Sequence, residues 1–302
     1  MRISFDEVRQ NKLFSFLLVA VFFIIIGILG VILGILLFED APTGIILALI
    51  VGGIYGAVMY TIGDAMILGI SGAKPVTKKE YPYLYHTIEA VAIAANIPTP
   101  KAYVIQSPVL NAFATGRDPK SGSVAVTTGL LEKLNRQELE GVIAHEIAHI
   151  KHYDIRLMLL ATVLVGVVVL LSDIMLRTFI FSGMSGRAQG GQRGGGTAII
   201  IIVGIVLAIL APIFAYLLKL AISRKREYAA DAAAVSFTRY PAGLAGALKK
   251  IQKEAHPEFK QANHATEHMF IANPFRKQKR SWSNLFSTHP PLEERIRRLE
   301  EM

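Results

Sequence analysis

Two uninterrupted apolar runs open the chain. Leu13 to Phe38 and Ala41 to Gly63 contain no charged residue, and each is long enough to cross a hydrocarbon core of about 30 Å as a helix. The first is too long for a signal-peptide core and lacks a small-residue cleavage site, so it reads as a retained anchor. Glu39 and Asp40 mark the tight turn between the two runs. Two more runs follow in the second half: Leu157 to Leu176, interrupted only by Asp173, and Thr197 to Leu218, which is charge-free. Asp173 and Arg177 weaken the third run, and a hairpin buried in a soluble domain is its alternative reading. The count expected is four spans, at about 13–38, 41–63, 157–176 and 197–218.

Between the runs the periodicity changes. Tyr83 to Ile97, Arg136 to His152, and Leu244 to His256 repeat apolar residues at helical spacing, and Leu292 to Glu301 reads as a last helix. Lys101 to Ile105 and Gly122 to Thr127 concentrate β-branched residues between Pro and Gly, as short strands do. In the helix over 136–152, Leu139, Val142, Ile143, Ile147 and Ile150 form the apolar stripe, and Asn135 with Glu138 suits a capping box. If this helix runs on into the third span, it carries its polar residues roughly 12 Å above the apolar boundary at about 1.5 Å per residue. The expected fold class is α+β, a mostly helical domain with a small sheet plus about four transmembrane helices. Residues 1–63 form the first membrane hairpin, 64–155 the first half of the domain, 157–218 the second hairpin and 219–302 the second half.

Charge sets the orientation. Lys and Arg gather at residues 2–12, 74–79, 151–156 and 219–226, whereas the turn at Glu39 and Asp40 has no base. By the excess of positive charge on cytoplasmic loops, both termini and the domain face the cytoplasm. Three arginines between Arg177 and Gly196 run against that pattern, in a Gly-rich loop. The expected location is the plasma (inner) membrane, crossed several times. The net charge of +9 raises the question of nucleic acid. In a chain with several spans, anionic lipid headgroups of the bilayer account for the basic cluster Arg276, Lys277, Lys279 and Arg280 more simply, with a solvated loop as the alternative, so no nucleic-acid partner is expected. The chain has no cysteine, which excludes thiol nucleophiles, Cys-ligated zinc and disulfide bonds.

The chemistry concentrates in His145-Glu146-Ile147-Ala148-His149. Two imidazoles four residues apart project from one helix face and can share a metal ion. An ion held this way makes water acidic near neutral pH, and Glu146, rotated about 100° from His145, is placed to act as general base. A catalytic zinc site wants a third protein ligand. The metzincin spacing fails, because the sixth residue after His149 is Ile155. His152 lies further along the same helix and reads as a surface or membrane-interface residue. The better candidate is Glu227, four residues before Asp231 on a predicted helix, so that one carboxylate binds metal while the other orients a ligating imidazole.

Taken together, the pentapeptide, Asp154, Ser223-Arg224-Lys225-Arg226-Glu227-Tyr228-Ala229-Ala230-Asp231 and Thr288-His289-Pro290-Pro291-Leu292-Glu293-Glu294-Arg295-Ile296 resemble the HtpX family of integral-membrane zinc metalloproteases. The resemblance runs from the N-terminal hairpin to the C-terminus. It implies a gluzincin with one Zn²⁺ per subunit, held by His145, His149 and Glu227, with Glu146 as base and Asp231 in support. It further implies a quality-control endopeptidase that cuts damaged or misfolded membrane proteins and unfolded polypeptides from the cytoplasmic side. His289 and Arg295 match the family's late His-Pro-Pro and Arg positions, and their chemistry suits donors to an oxyanion or to the substrate backbone. Asn111 to Gly116 resembles the family's strand beside the cleft, which makes Asn111 and Ala112 candidates for clamping substrate main chain. Two other classes compete: a catalytically silent metal-binding membrane scaffold or stress sensor, which needs no Glu146, and a zinc transporter, which needs more ionisable residues at bilayer depth. No pattern in the chain specifies an oligomeric state.

Overall fold

The computed structural model describes residues 2–163, 224–253 and 290–302. The chain divides into two compact units, Phe16–Thr61 with Leu160–Leu220, and Met1–Ser15 with Ile62–Leu159 and Ala221–Met302.

The first of these contains most of two long helices, α1 (Arg2–Phe38) and α2 (Ala41–Ile70). Among the described residues, two helices are long and apolar enough to span a membrane, over Val8–Ile32 and Ala41–Ile70. Four spans were expected; those at 157–176 and 197–218 lie outside the described residues except for 157–163, which are helical. The hairpin closes through small residues. A Cβ on Gly44 would collide with the Gly30 carbonyl and with Gly34, so the two backbones meet as closely as in small-xxx-small pairs. Leu18, Phe22, Ile26 and Leu29 are buried, whereas Phe16, Ile24, Ile28, Ile46, Ile50 and Ile54 stay exposed. Such an apolar exterior suits lipid rather than water.

The other unit holds the chemistry. Its sheet comprises β1 (Ala73–Pro75), β2 (Lys101–Ile105), β3 (Ala112–Thr115) and β4 (Ser123–Thr127) in the order β1-β2-β4-β3. β2 and β4 are parallel, with Lys101 opposite Ser123, while β1 and β3 are antiparallel to their neighbours. Helices α3 (Pro82–Ala95), α4 (Thr128–Lys133), α5 (Arg136–Lys151), α6 (Arg224–Thr238), α7 (Pro241–Lys253) and α8 (Leu292–Glu300) complete it. α3 ends where Asn96 turns left-handed at φ 55° and caps the carbonyls of Ala92 and Ile93, a conformation that Asn tolerates.

α5 is the axis of this unit. Asn135 accepts from the Glu138 amide at 3.0 Å while the Glu138 carboxylate accepts from the Asn135 amide at 2.8 Å, which satisfies two otherwise orphaned N–H groups. The same carboxylate binds Lys250 of α7 at 2.6 Å, and Gly141 lets the α7 backbone approach at Leu244 where any Cβ would collide. Packed by α3, α6, α7 and the sheet, α5 is buried all round from Gly141 to Ile150. It does not continue into a membrane span as expected. It stops at Lys151; Tyr153 takes a left-handed φ of 64°, and a new helical stretch begins at Asp154. His152, expected at the surface, is instead the C-cap residue and only 3% exposed. The N-terminal end of α1 covers it, its Asn11 side chain donating to the His152 carbonyl at 2.9 Å.

Candidate active site

Helical spacing brings the two motif imidazoles together. His145 and His149 lie edge to face with their Nε2 atoms 3.1 Å apart, both buried in the interior of the fold. α6 lays Glu227 against them. Its Oε2 stands 3.7 Å from His145 Nε2 and its Oε1 3.6 Å from His149 Nε2. Two donors each 2.0–2.1 Å from a tetrahedral zinc ion stand about 3.3 Å apart, so these three spacings bracket what one ion requires. Two neutral nitrogens with a carboxylate oxygen are also a suitable donor set for zinc.

Each imidazole is oriented from behind. His145 Nδ1 lies 2.9 Å from Asp231 Oδ1, and His149 Nδ1 lies 2.9 Å from Asp154 Oδ2. With Nδ1 of each ring turned to a carboxylate, both Nε2 atoms face the shared space. Asp231, one turn after Glu227 on α6, is in turn gripped by Arg295 of α8, whose Nε and Nη2 donate at 2.9 and 2.7 Å. The third guanidinium nitrogen, Nη1, is 3.5 Å from Glu227 Oε2. Arg295 has no exposed surface. Expected as a donor to an oxyanion or to the substrate backbone, it is held by its fork against the carboxylate that orients His145, with Nη1 toward Glu227.

The electrostatics differ between the two rings. Burial and the nearby Arg295 charge push His145 down to about 4, against the pull of Asp231. Burial acts the same way on His149, but Asp154, Glu227 and Glu146 outweigh it and raise His149 to about 9. Asp231, despite burial, is brought down to about 2 by Arg295 and His145. Glu146 is the odd carboxylate. Burial, with Glu227 adding repulsion, lifts it to about 7, near where a general base works best at neutral pH.

Glu146 faces the sheet. The Ala114 backbone amide donates to it, so the outer edge of β3 borders the reacting groups. Asn111 and Ala112 sit at the start of this strand, both 1% exposed, with Asn111 Oδ1 accepting from the Ala112 amide at 3.0 Å. The Asn111 side chain thus turns back onto its own backbone. His289 lies outside the described residues.

The sequence reading gave no individual role to two supporting residues. Asp154 is the first carboxylate after Glu146, and the need of every ligating imidazole for an acceptor on its far nitrogen was the available signal. Arg226, whose Nε lies 3.4 Å from Asp154 Oδ1, read only as one of a basic run.

A buried two-His, one-Glu centre on two packed helices, with a neighbouring carboxylate and an edge strand alongside, defines a metallopeptidase of the gluzincin type. The comparisons agree: residues 78–302 match the model of peptidase family M48. The protease HtpX homolog of Dictyoglomus thermophilum is 51% identical over 265 residues, which is 88% of this chain and 84% of that relative. The HtpX homolog of Listeria monocytogenes serotype 4a is 42% identical over 304 residues, 99% of each. The crystal structure of S. mikatae Ste24p shares the fold with a TM-score of 0.51 at 20% identity, covering 91% of this chain and 62%, under two thirds, of that one. The chain belongs to the HtpX group of peptidase family M48, the membrane metalloproteases.

Proposed function

We propose that the protein is a zinc-dependent endopeptidase that cuts damaged or misfolded membrane proteins on the cytoplasmic side of the plasma membrane. The observation that carries this reading is the convergence of His145, His149 and Glu227 donors at 3.1–3.7 Å beside a buried Glu146. Those three residues hold the ion, Asp231 and Asp154 orient its imidazoles, and Glu146 is the general base. When bound there, zinc supplies Lewis acidity, polarising a peptide carbonyl and acidifying water. Glu146 takes a proton at its carboxylate and later passes it to the departing amine, a transfer suited to a group held near 7. Substrate main chain pairs with the β3 edge over Ala112–Thr115, which makes recognition tolerant of sequence. A membrane anchor of at least two spans keeps the site close to membrane-embedded substrates.

Glu146→Gln tests the chemistry. Cleavage of casein or of an unfolded membrane protein should fall by about 10²–10⁴ with zinc content intact, the usual contribution of a general base; undiminished cleavage would sink the mechanism built on Glu146. The absence of native cysteine makes the sidedness testable by thiol labelling. In intact cells a membrane-impermeant maleimide should label Glu39→Cys, in the exposed turn, and spare Lys78→Cys until the cells are permeabilised; the reverse pattern would put the site outside.

A further inference from the structure

The turn between α5 and the next helical stretch contains Asp154, which orients His149. This turn is built from residues with no intrinsic preference for it. Tyr153 adopts φ 64°, which costs a non-glycine residue free energy that its surroundings must offset. Those surroundings include two consecutive residues of α1. Asn11 Nδ2 donates to the His152 carbonyl at 2.9 Å and to Asp154 Oδ1 at 2.7 Å, so both amide hydrogens have an acceptor in the turn. Lys12 Nζ lies 4.8 Å from the Tyr153 ring centroid and the Arg156 guanidinium 4.9 Å from it, two cation–π contacts on one ring. Asn11 is 2% exposed. It belongs to the same compact unit as the site, although it lies in the first membrane helix, 143 positions before Asp154.

We infer that Asn11 is a positioning residue for the metal ligand His149, so that the first membrane helix forms part of the metal site's support. The chain of contact has two links. Asn11 fixes Asp154 through Oδ1, and Asp154 fixes the imidazole through Oδ2 at 2.9 Å. Free rotation of the carboxylate would let the His149 Nε2 lone pair wander from the point where His145 and Glu227 converge. The inference rests on the metal-site reading above and extends it to a helix whose apolar sequence suggests only an anchor.

The test uses the full-length protein in nanodiscs. Zinc affinity is measured by competition with a chromogenic chelator, and casein cleavage is followed at limiting and at saturating zinc. Asn11→Ala should weaken zinc affinity about tenfold, the lower end of the usual effect of such supporting partners. Activity should fall at limiting zinc and recover at saturating zinc with KM unchanged, a pattern that loss of global stability does not give. Its effect should also be non-additive with Asp154→Asn and additive with Asp231→Asn. Ser15→Ala, one turn further along α1, should change neither readout. Should Asn11→Ala fail to fold, the isosteric Asn11→Asp keeps the packing, opposes Asp154 with an acceptor, and should weaken zinc binding likewise. Folded variants that bind zinc as tightly as the parent would overturn the inference. A parent protein that binds no zinc would instead overturn the metal-site reading itself.

Discussion

His145 and His149 are held by carboxylates at the same distance, 2.9 Å, yet the two supports are built from opposite ends of the chain and from different chemistry. Behind Asp231 stands Arg295, a full positive charge with two hydrogen bonds to the carboxylate. Behind Asp154 stands Asn11, a neutral amide, with Arg226 further off at 3.4 Å. Orientation is therefore equal while electrostatics are not. Burial and the Arg295 charge together keep His145 neutral against the pull of Asp231, whereas Asp154, with Glu227 and Glu146, helps hold a proton on His149. One ligand waits ready for metal and the other must first lose a proton.

Removing Arg295 should break this comparison most severely. Arg295→Met leaves Asp231 charged, buried and without its fork, and stranding one member of a buried ion pair typically costs about 3–5 kcal/mol. Chemical denaturation in nanodiscs, followed by circular dichroism, should show a loss of that order, whereas Asn11→Ala, which removes only a neutral donor, should lose less. Equal losses would mean that the guanidinium is no more than another hydrogen-bond donor. Next in size are the carboxylates. Asp231→Asn and Asp154→Asn should each weaken zinc binding by about 10–100-fold, the usual penalty for losing an orienting partner, read by chelator competition. A variant with unchanged affinity would show that its imidazole is held by packing alone.

The strength of local signals decided how much of this was legible beforehand. The capping box at Asn135, the two strands at Lys101 and Gly122, and the pairing of Glu227 with Asp231 all rest on short-range rules, and the structure has them within a residue or so. The apolar stripe of α5 was equally plain, and the His145-Glu146-Ile147-Ala148-His149 motif lies on that helix. Other features were hidden for physical reasons. The break at Tyr153 has no Gly or Pro to announce it, and part of what holds the left-handed turn comes from α1, far off in the chain. The partnership of Asn11 with Asp154 spans 143 positions, a contact that no periodicity encodes. The fork of Arg295 on Asp231 was equally hidden, since it depends on how α8 packs.

The asymmetry should also appear in pH. Metal requires both rings neutral. With His145 held down to about 4 and His149 up to about 9, one proton competes with zinc between those values. Zinc affinity should therefore rise about tenfold per pH unit from pH 6 to 8 and level off near 9. Asp154→Asn removes a carboxylate that raises His149, so the plateau should begin at lower pH; Asp231→Asn removes one that raises His145, which is already neutral, so the slope should persist. Chelator competition across that range distinguishes them. Identical pH profiles in both variants would erase the distinction between the two supports.

The smallest effect should come from the element that both supports share. α5 carries both imidazoles, and its N-cap lies ten residues before His145, almost three turns away. Asn135→Ala removes one partner of the capping box and should lower stability by about 1 kcal/mol. Because the fraying it permits is confined to the first turn, and because α7 still clamps α5 at Gly141 and through the Lys250 ion pair with Glu138, the two rings should feel no difference. Zinc affinity and its pH slope should match the parent protein while the denaturation midpoint falls. A change in the slope would mean that strain in α5 reaches His145 and His149 unequally, and the contrast between them would then belong to the helix as much as to Arg295 and Asn11.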